Sequence, residues 1–299
     1  MTAGGLPADR GPAASKKRDV MPEFSPYIVA ALRAAAAAGE IQRGLFGRLT
    51  RVEYKGPYDP VTEADRASEE AIIGVLHDAF PGHAFLGEEG GQRGDAAYTW
   101  LIDPLDGTYN YAHAFPWFAV SIALRHRTRM VAGVILNTMF GEVYAAEAGR
   151  GAYAAAVRDL APGPAGRAGA GWRRISVSRV GRLAETTLST GFPHSVAETR
   201  LNLDHFTNLV LAAGKIRNVG SAALSLAAVA LGQMDGYWEI GPAVWDFAAG
   251  SLLVEEAGGR VTDLRGRTRE AYAGQLLATN GKVHDQVVAV LGKGRSGLE

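Results

Sequence analysis

From Pro26 to about Phe46 the apolar positions Ile28, Leu32, Ala35, Ile41 and Leu45 recur at helical spacing, so the chain opens with an amphipathic helix that holds Pro26 in its first turn. Thr62 begins a second helix, in which Ala67, Ala71, Ile72, Val75, Leu76 and Ala79 form a stripe that Pro81-Gly82 stops. Phe85-Leu86-Gly87 and Trp100-Leu101-Ile102 read as short buried strands, each running into acidic residues. Val120–Arg125, Val131–Asn137 and Glu142–Ala146 predict antiparallel strands, the last two joined by a tight turn over Thr138–Gly141.

The stretch 158–171 is so rich in Gly, Ala and Pro that it cannot bury a face, and it marks the best boundary between lobes. Beyond it the pattern predicts strands at Ile175–Ser178, Thr187–Thr190, Lys215–Val219, Gly236–Ile240, Val261–Asp263 and Leu276–Thr279. Helices alternate with them over Leu201–Ala213, Ala222–Leu231 with Ser221 as N-cap, Asp246–Ala257 closed by Gly258-Gly259, and Val283–Leu291. The expected organisation is a flexible arm over 1–22, an α+β lobe over 23–157, the loop at 158–173, an α/β lobe over 174–292 and a flexible tail over 293–299. No internal repeat is visible.

Composition narrows the chemistry. A chain of 299 residues, 47% hydrophobic and 21% charged, has ample core for about two lobes. Lys plus Arg and Asp plus Glu are both 31, so no global field draws the protein to nucleic acid or to an anionic membrane. The absence of Cys excludes disulfides, thiolate metal sites and cysteine nucleophiles. The N-terminal residues lack an apolar run, and no apolar stretch approaches bilayer-spanning length, so a cytoplasmic location is expected.

The sharpest local signal is Asp103-Pro104-Leu105-Asp106-Gly107-Thr108 at the end of an apolar strand. Two carboxylates across a turn can face one point, where a hard divalent cation would bind them, while the following backbone N–H groups suit phosphate oxygens. Asp-Pro and Asp-Gly are also ordinary turn dipeptides. Three further acidic points stand at element ends: Glu88 in Gly87-Glu88-Glu89-Gly90, Asp65 in the first turn of the second helix, and Asp246 after Trp245. Each has a structural alternative, Asp65 as the partner of Thr62 in a capping box and Asp246 as a favourable charge on its helix dipole. Together they argue for one acidic pocket.

This ordered set resembles the inositol monophosphatase family, within the lithium-sensitive, magnesium-dependent sugar-phosphatase superfamily, over roughly residues 25–291. The likeness rests on Gly87-Glu88-Glu89 with Asp103–Thr108, on Trp245-Asp246-Phe247-Ala248-Ala249-Gly250, and on the supporting stretches 59–65, 149–153, 220–223 and 255–259. It implies an α/β (α+β) fold, a layered α–β–α–β–α sandwich of the inositol monophosphatase and fructose-1,6-bisphosphatase type, with the metal site between the lobes. By the same resemblance, Glu88, Asp103, the Leu105 carbonyl, Asp106 and Asp246 hold two Mg²⁺ ions, and a third sits near Glu88 through water. Asp65 and Thr108 would orient and deprotonate the attacking water, with Glu88 counted among the catalytic residues, and the N–H groups of Gly107 and Thr108 would hold phosphate.

The resemblance further implies a homodimer, inhibition by Li⁺, and a phosphate monoester as substrate. Inositol 1-phosphate is favoured because Glu239 stands where inositol-cleaving members carry a Glu for ring hydroxyls, with Ser221 and Ala222 beside the substrate. Fructose 1,6-bisphosphate, NADP, histidinol phosphate and adenosine bisphosphates are alternatives within the same chemistry, and a regulatory binding protein using this fold is a second class. Tyr109 and Gly90 depart from the usual family residues, and Lys55 falls where a mobile family loop carries a basic residue. His83, His113 and His194 receive no role, and Tyr109, Tyr111, Phe115, Trp117 and Phe118 are expected to pack behind the phosphate loop.

Overall fold

The computed structural model describes residues 22–56, 59–159, 171–193, 196–268 and 274–293. The N-terminal arm before Pro22, residues 160–170 of the Gly/Ala/Pro loop, His194 and the tail beyond Lys293 lie outside the described residues. The chain opens with α1 (Pro26–Leu45), the ribbon strands β1 (Val52–Gly56) and β2 (Asp59–Thr62), and α2 (Glu63–Ala79). Next come β3 (Ala84–Gly87), β4 (Gly91–Arg93), β5 (Tyr98–Asp106) and the short α3 (Thr108–Ala112). The strands β6 (Ala119–His126), β7 (Arg129–Asn137), β8 (Glu142–Glu147), β9 (Gly151–Ala156) and β10 (Arg173–Arg174) follow. The rest is β11 (Thr187–Thr190), α4 (Val196–Thr199), α5 (Leu203–Ala212), β12 (Lys215–Arg217), α6 (Ala222–Ala230), β13 (Gly236–Ile240), α7 (Val244–Glu256), β14 (Arg260–Thr262), β15 (Gln275–Thr279) and α8 (His284–Leu291).

Eight strands form one sheet in the order β10-β9-β8-β7-β6-β5-β3-β4, antiparallel apart from the parallel pair β3–β5. Five form a second in the order β12-β11-β13-β15-β14, which mixes parallel and antiparallel pairs. Helices α1 and α2 pack together on one face of the large sheet, burying Ile28, Ile72 and Leu76 against Trp100, Ile122 and Val134. Helices α6 and α7 fill the space between the sheets, contributing Leu226, Phe247 and Leu253 to the core that includes Leu101, Ile135 and Tyr237. Helices α5 and α8 cover the far face of the small sheet through Leu209, Val287 and Leu291 against Trp238 and Leu277. The order is therefore α–β–α–β–α. Both α6 and α7 are apolar nearly all round, as burial between two sheets requires.

Two expectations are corrected. Ile175–Ser178 is not a strand: Ile175 N donates to Ala152 O at 2.9 Å and Val177 N to Ala257 O at 3.1 Å, but to different elements, so no ladder forms. The pairing strand here is β10, two residues earlier. Tyr109 and Phe115 do not pack inside; both are about half exposed, whereas Tyr111 and Phe118 are buried as expected.

Candidate active site

The site is assembled from element ends. Register slips between Asp103 and Asp106 on β5, where three steps oppose the two from Ser121 to Ala119 on β6. One extra residue bulges there, beside Pro104, which lacks the N–H that a regular ladder needs. Leu105 N closes the bulge onto Asp103 Oδ1 at 3.0 Å, and buried Gln42 of α1 donates to Pro104 O at 2.7 Å. Gly107 follows at φ 95°, a left-handed conformation that glycine adopts without strain, and starts α3.

Asp65 forms the capping box expected of it with Thr62 and also contacts Thr108. Its Oδ2 accepts Thr62 N at 2.8 Å while Ala64 N donates to Thr62 Oγ1, completing a capping box. Its Oδ1 faces Thr108 Oγ1 at 2.8 Å, and that hydroxyl also lies 2.9 Å from Leu105 O. The single hydroxyl hydrogen is thus shared between two acceptors. Burial pushes the Asp65 carboxyl up to about 6, against the hydrogen bonds from Thr62 and Thr108.

Glu88, Asp103, Leu105, Asp106, Gly107, Thr108, Ser221, Ala222, Glu239 and Asp246 line one cavity of about 340 Å³, and Asp65 does not. Asp106 accepts from Ser221 Oγ, from Ala222 N at 3.2 Å and from Ala223 N at 2.9 Å, tying β5 to the start of α6. Ser221 lines the cavity, but its hydroxyl hydrogen is directed at Asp106, while its oxygen caps Leu224 N. Asp246 reaches back to Ala243 N at 2.8 Å through Oδ2. Glu88 is turned to the ribbon, where Lys55 Nζ lies 2.8 Å from Glu88 Oε1 and 2.5 Å from Glu89 Oε1. Glu239 accepts the Tyr237 hydroxyl and sits in the cavity wall on β13.

The electrostatics of this cavity are unfavourable as it stands. Burial, then Glu88, Asp106 and Asp246, hold Asp103 well above the usual carboxylate range. Burial, then Glu239, Asp106 and Glu88, do the same to Asp246. Burial raises Asp106 to about 6 against its three donors, and raises Glu239 to about 7. No basic side chain hydrogen-bonds to Asp103, Asp106 or Asp246 among the described residues. Among those residues no three acidic or histidine side chains stand in metal-bond geometry, because Glu88 leans to Lys55 and Asp106 to α6. The donor set nevertheless suits a hard cation: it is all oxygen, and Asp103 Oδ2 and Asp246 Oδ1 carry no hydrogen bond from a described residue.

Three neighbours of the site are not marked by the sequence pattern. Asn110 Nδ2 donates to Trp117 O and Val219 O, both at 2.8 Å, and so ties α3 to the loop before α6. Lys55 is the counter-ion of the Glu88 turn. Glu69 on α2 is buried beneath that turn, and its spacing of one helical turn from Asp65 was the available signal.

A sandwich of two sheets and three helical layers around a cavity of buried carboxylates is the architecture of a metal-dependent phosphatase class, and comparison with known proteins agrees. The family model described as the inositol monophosphatase family matches residues 23–294, and the chain belongs to that family, whose members are generally metal-dependent. It is a phosphatase. An inositol-1-monophosphatase from Mesorhizobium japonicum is 40% identical over 257 residues, covering 84% of this chain and 88% of the relative. A Pseudomonas aeruginosa protein named Nus factor SuhB is 41% identical over 269 residues, covering 87% and 93%. The solved inositol monophosphatase from Anabaena superposes with a TM-score of 0.78 at 37% identity, covering 90% of this chain and 96% of the other.

Proposed function

We propose that the protein is a Mg²⁺-dependent phosphomonoester hydrolase acting on inositol 1-phosphate or a closely similar polyol monophosphate, at a cavity where a lobe over 23–157 meets one over 174–292. The observation that carries this reading is the acid pair of buried Asp103 and half-buried Asp246, both held protonatable by desolvation and by neighbouring carboxylates, with no cationic side chain hydrogen-bonded to either among the described residues. Such a cluster is stabilised by a bound divalent cation, whose charge inverts the sign of the pocket. Glu88, Asp103, the Leu105 carbonyl, Asp106 and Asp246 would hold two Mg²⁺, with a third ion near Glu88. Bound there, Mg²⁺ supplies positive charge to the phosphoryl oxygens, acidifies water and stabilises the leaving alkoxide.

The chain's own groups supply the rest. Thr108 Oγ1 would accept the proton of the attacking water as its own hydrogen passes to Asp65 Oδ1, which lies 2.8 Å away. A carboxyl raised to about 6 by burial is a stronger base than an exposed one, near neutral pH. The N–H groups of Gly107 and Thr108 would hold the phosphate in line for attack opposite the leaving oxygen. Glu239 would accept ring hydroxyls of a neutral polyol and repel a second phosphate, while Ala222 and Ser221 border the same space. Li⁺ would inhibit by replacing one Mg²⁺, and the family pattern favours a homodimer, which light scattering at micromolar concentration tests.

The names of relatives such as Nus factor SuhB favour a second reading, in which the same fold also serves as a regulatory binding protein. A substrate panel decides between them. Phosphate release from inositol 1-phosphate, fructose 1,6-bisphosphate, NADP, histidinol phosphate and adenosine bisphosphate is measured with and without Mg²⁺. Highest kcat/KM for inositol 1-phosphate supports the first reading; no Mg²⁺-dependent release from any of them favours the second.

A further inference from the structure

We propose that Glu69 is a positioning residue for the divalent-cation site, holding the turn that presents Glu88 without itself touching cation or substrate. Glu69 lies on α2 four residues after Asp65, on the same helix face, and is 2% exposed. Its carboxylate grips the turn through two backbone donors, Glu89 N to Oε2 at 2.9 Å and Gly90 N to Oε1 at 2.7 Å. These are charge-assisted bonds to consecutive amides, and among the described residues no basic side chain shares the carboxylate. The turn is shaped to admit it: a Cβ on Gly87 would fall 2.4 Å from Glu69 Oε2, and one on Gly90 would fall 2.6 Å from Oε1.

One helix face thus sets two turns at once. Asp65 fixes Thr108 at the end of β5, and Glu69 fixes Glu88 at the end of β3, so their separation is set by the helical rise between positions 65 and 69. Without Glu69 the Glu88 turn would keep the β3–β4 pairing of Gly87 with Gly91, the Glu88 N to Ile102 O bond at 3.2 Å and the ion pairs to Lys55, but would lose both donor contacts of Glu89 N and Gly90 N inside it. The ion pair holds the Glu88 carboxylate to Lys55 of the ribbon.

The inference rests on the reading of Glu88 as a cation ligand, and the test separates the two. Mn²⁺ binding to the full chain is followed by the EPR signal of the free ion in wild type, Glu69→Gln, Glu88→Gln and Gly87→Ala, with circular dichroism melting alongside. Gln keeps the volume of Glu69 but sets an amide NH₂ against a backbone donor. Gly87→Ala keeps every acid and displaces the Glu69 carboxylate, so it reports even where Glu69→Gln fails to fold. The expected result is Mn²⁺ affinity weakened about 10-fold or more in Glu69→Gln and Gly87→Ala. In these variants kcat at saturating Mg²⁺ would lie close to wild type and melting would be cooperative. Normal Mn²⁺ affinity in the two positioning variants, with affinity lost in Glu88→Gln, overturns the role of Glu69 alone. Normal affinity in all three removes Glu88 as a ligand, and the inference with it.

Discussion

Two sets of buried polar groups in this molecule have opposite electrostatics. In the turn after β14, Asp263 is 8% exposed, yet its carboxylate accepts Arg265 N and Arg267 N at 2.9 Å and Arg267 Nε at 2.7 Å. Although burial opposes it, these donors hold Asp263 below the usual carboxylate range. In the cavity, Asp103 and Asp246 each accept a single hydrogen bond among the described residues, both face the charges of Glu88 and Asp106, and both are driven upward. A buried carboxylate whose own turn satisfies it is a structural device. One that its neighbours destabilise is kept for something that binds.

The largest effect should come from breaking the unsatisfied set. Asp246→Asn or Asp106→Asn is expected to lower kcat/KM by on the order of 10³-fold, since on the proposed reading each removes a charged ligand worth several kcal/mol in the transition state. Without metal, Asp246→Asn should melt no lower than wild type, because it removes like-charge repulsion. Asp65→Asn stands between the two sets. It should cost about 10² in kcat and, by weakening the capping box, about 1 kcal/mol of stability by denaturant titration. Loss of stability with normal turnover per folded molecule would leave Asp65 only the cap.

Asp263→Asn should do the reverse of the cavity variants, costing about 1–3 kcal/mol while kcat and KM stay unchanged. Glu239→Gln should raise KM for inositol 1-phosphate more than it lowers kcat, because hydroxyl contacts act away from the phosphoryl group. The smallest effect is a pH slope from the structural set. His284 is buried between Thr262 and Thr279, and the Thr262 hydrogen goes to Asp263 O, so Nε2–H donates to Thr262 and Nδ1 accepts from Thr279. Burial, then Arg260, lowers its pKa from 6.5 to about 4. The unfolded chain therefore binds the proton first, and its contribution to stability is full above 6.5 and lost as pH falls toward 4. Asp263, also lowered, loses its contribution further down, as pH drops below the ordinary carboxylate value. Melting temperatures across this range measure both.

Much of this was legible in the chain because it rests on local rules. Periodicity and punctuation gave α1, α2 and the β6–β8 meander, and Ser221 caps α6 as its type suggests. Element ends gave the acids that share the cavity. What escaped depends on pairing partners remote in sequence. The β1–β2 ribbon contains Pro60, which demotes a strand pattern, and β9 is built of Gly, Ala and Tyr without a β-branched residue. Its small side chains become strand only because β8 and β10 flank it. Glu69 and Asn110 escaped because their hydrogen bonds go to backbone atoms, which carry no residue-specific mark.

What matters most is whether the cavity acids need a cation to work. The most direct measurement is phosphate release from inositol 1-phosphate by chelator-treated protein before and after Mg²⁺ is restored. No release above background from the treated protein and full recovery on adding Mg²⁺ are expected. Turnover that survives chelation unchanged would contradict the proposed metal dependence.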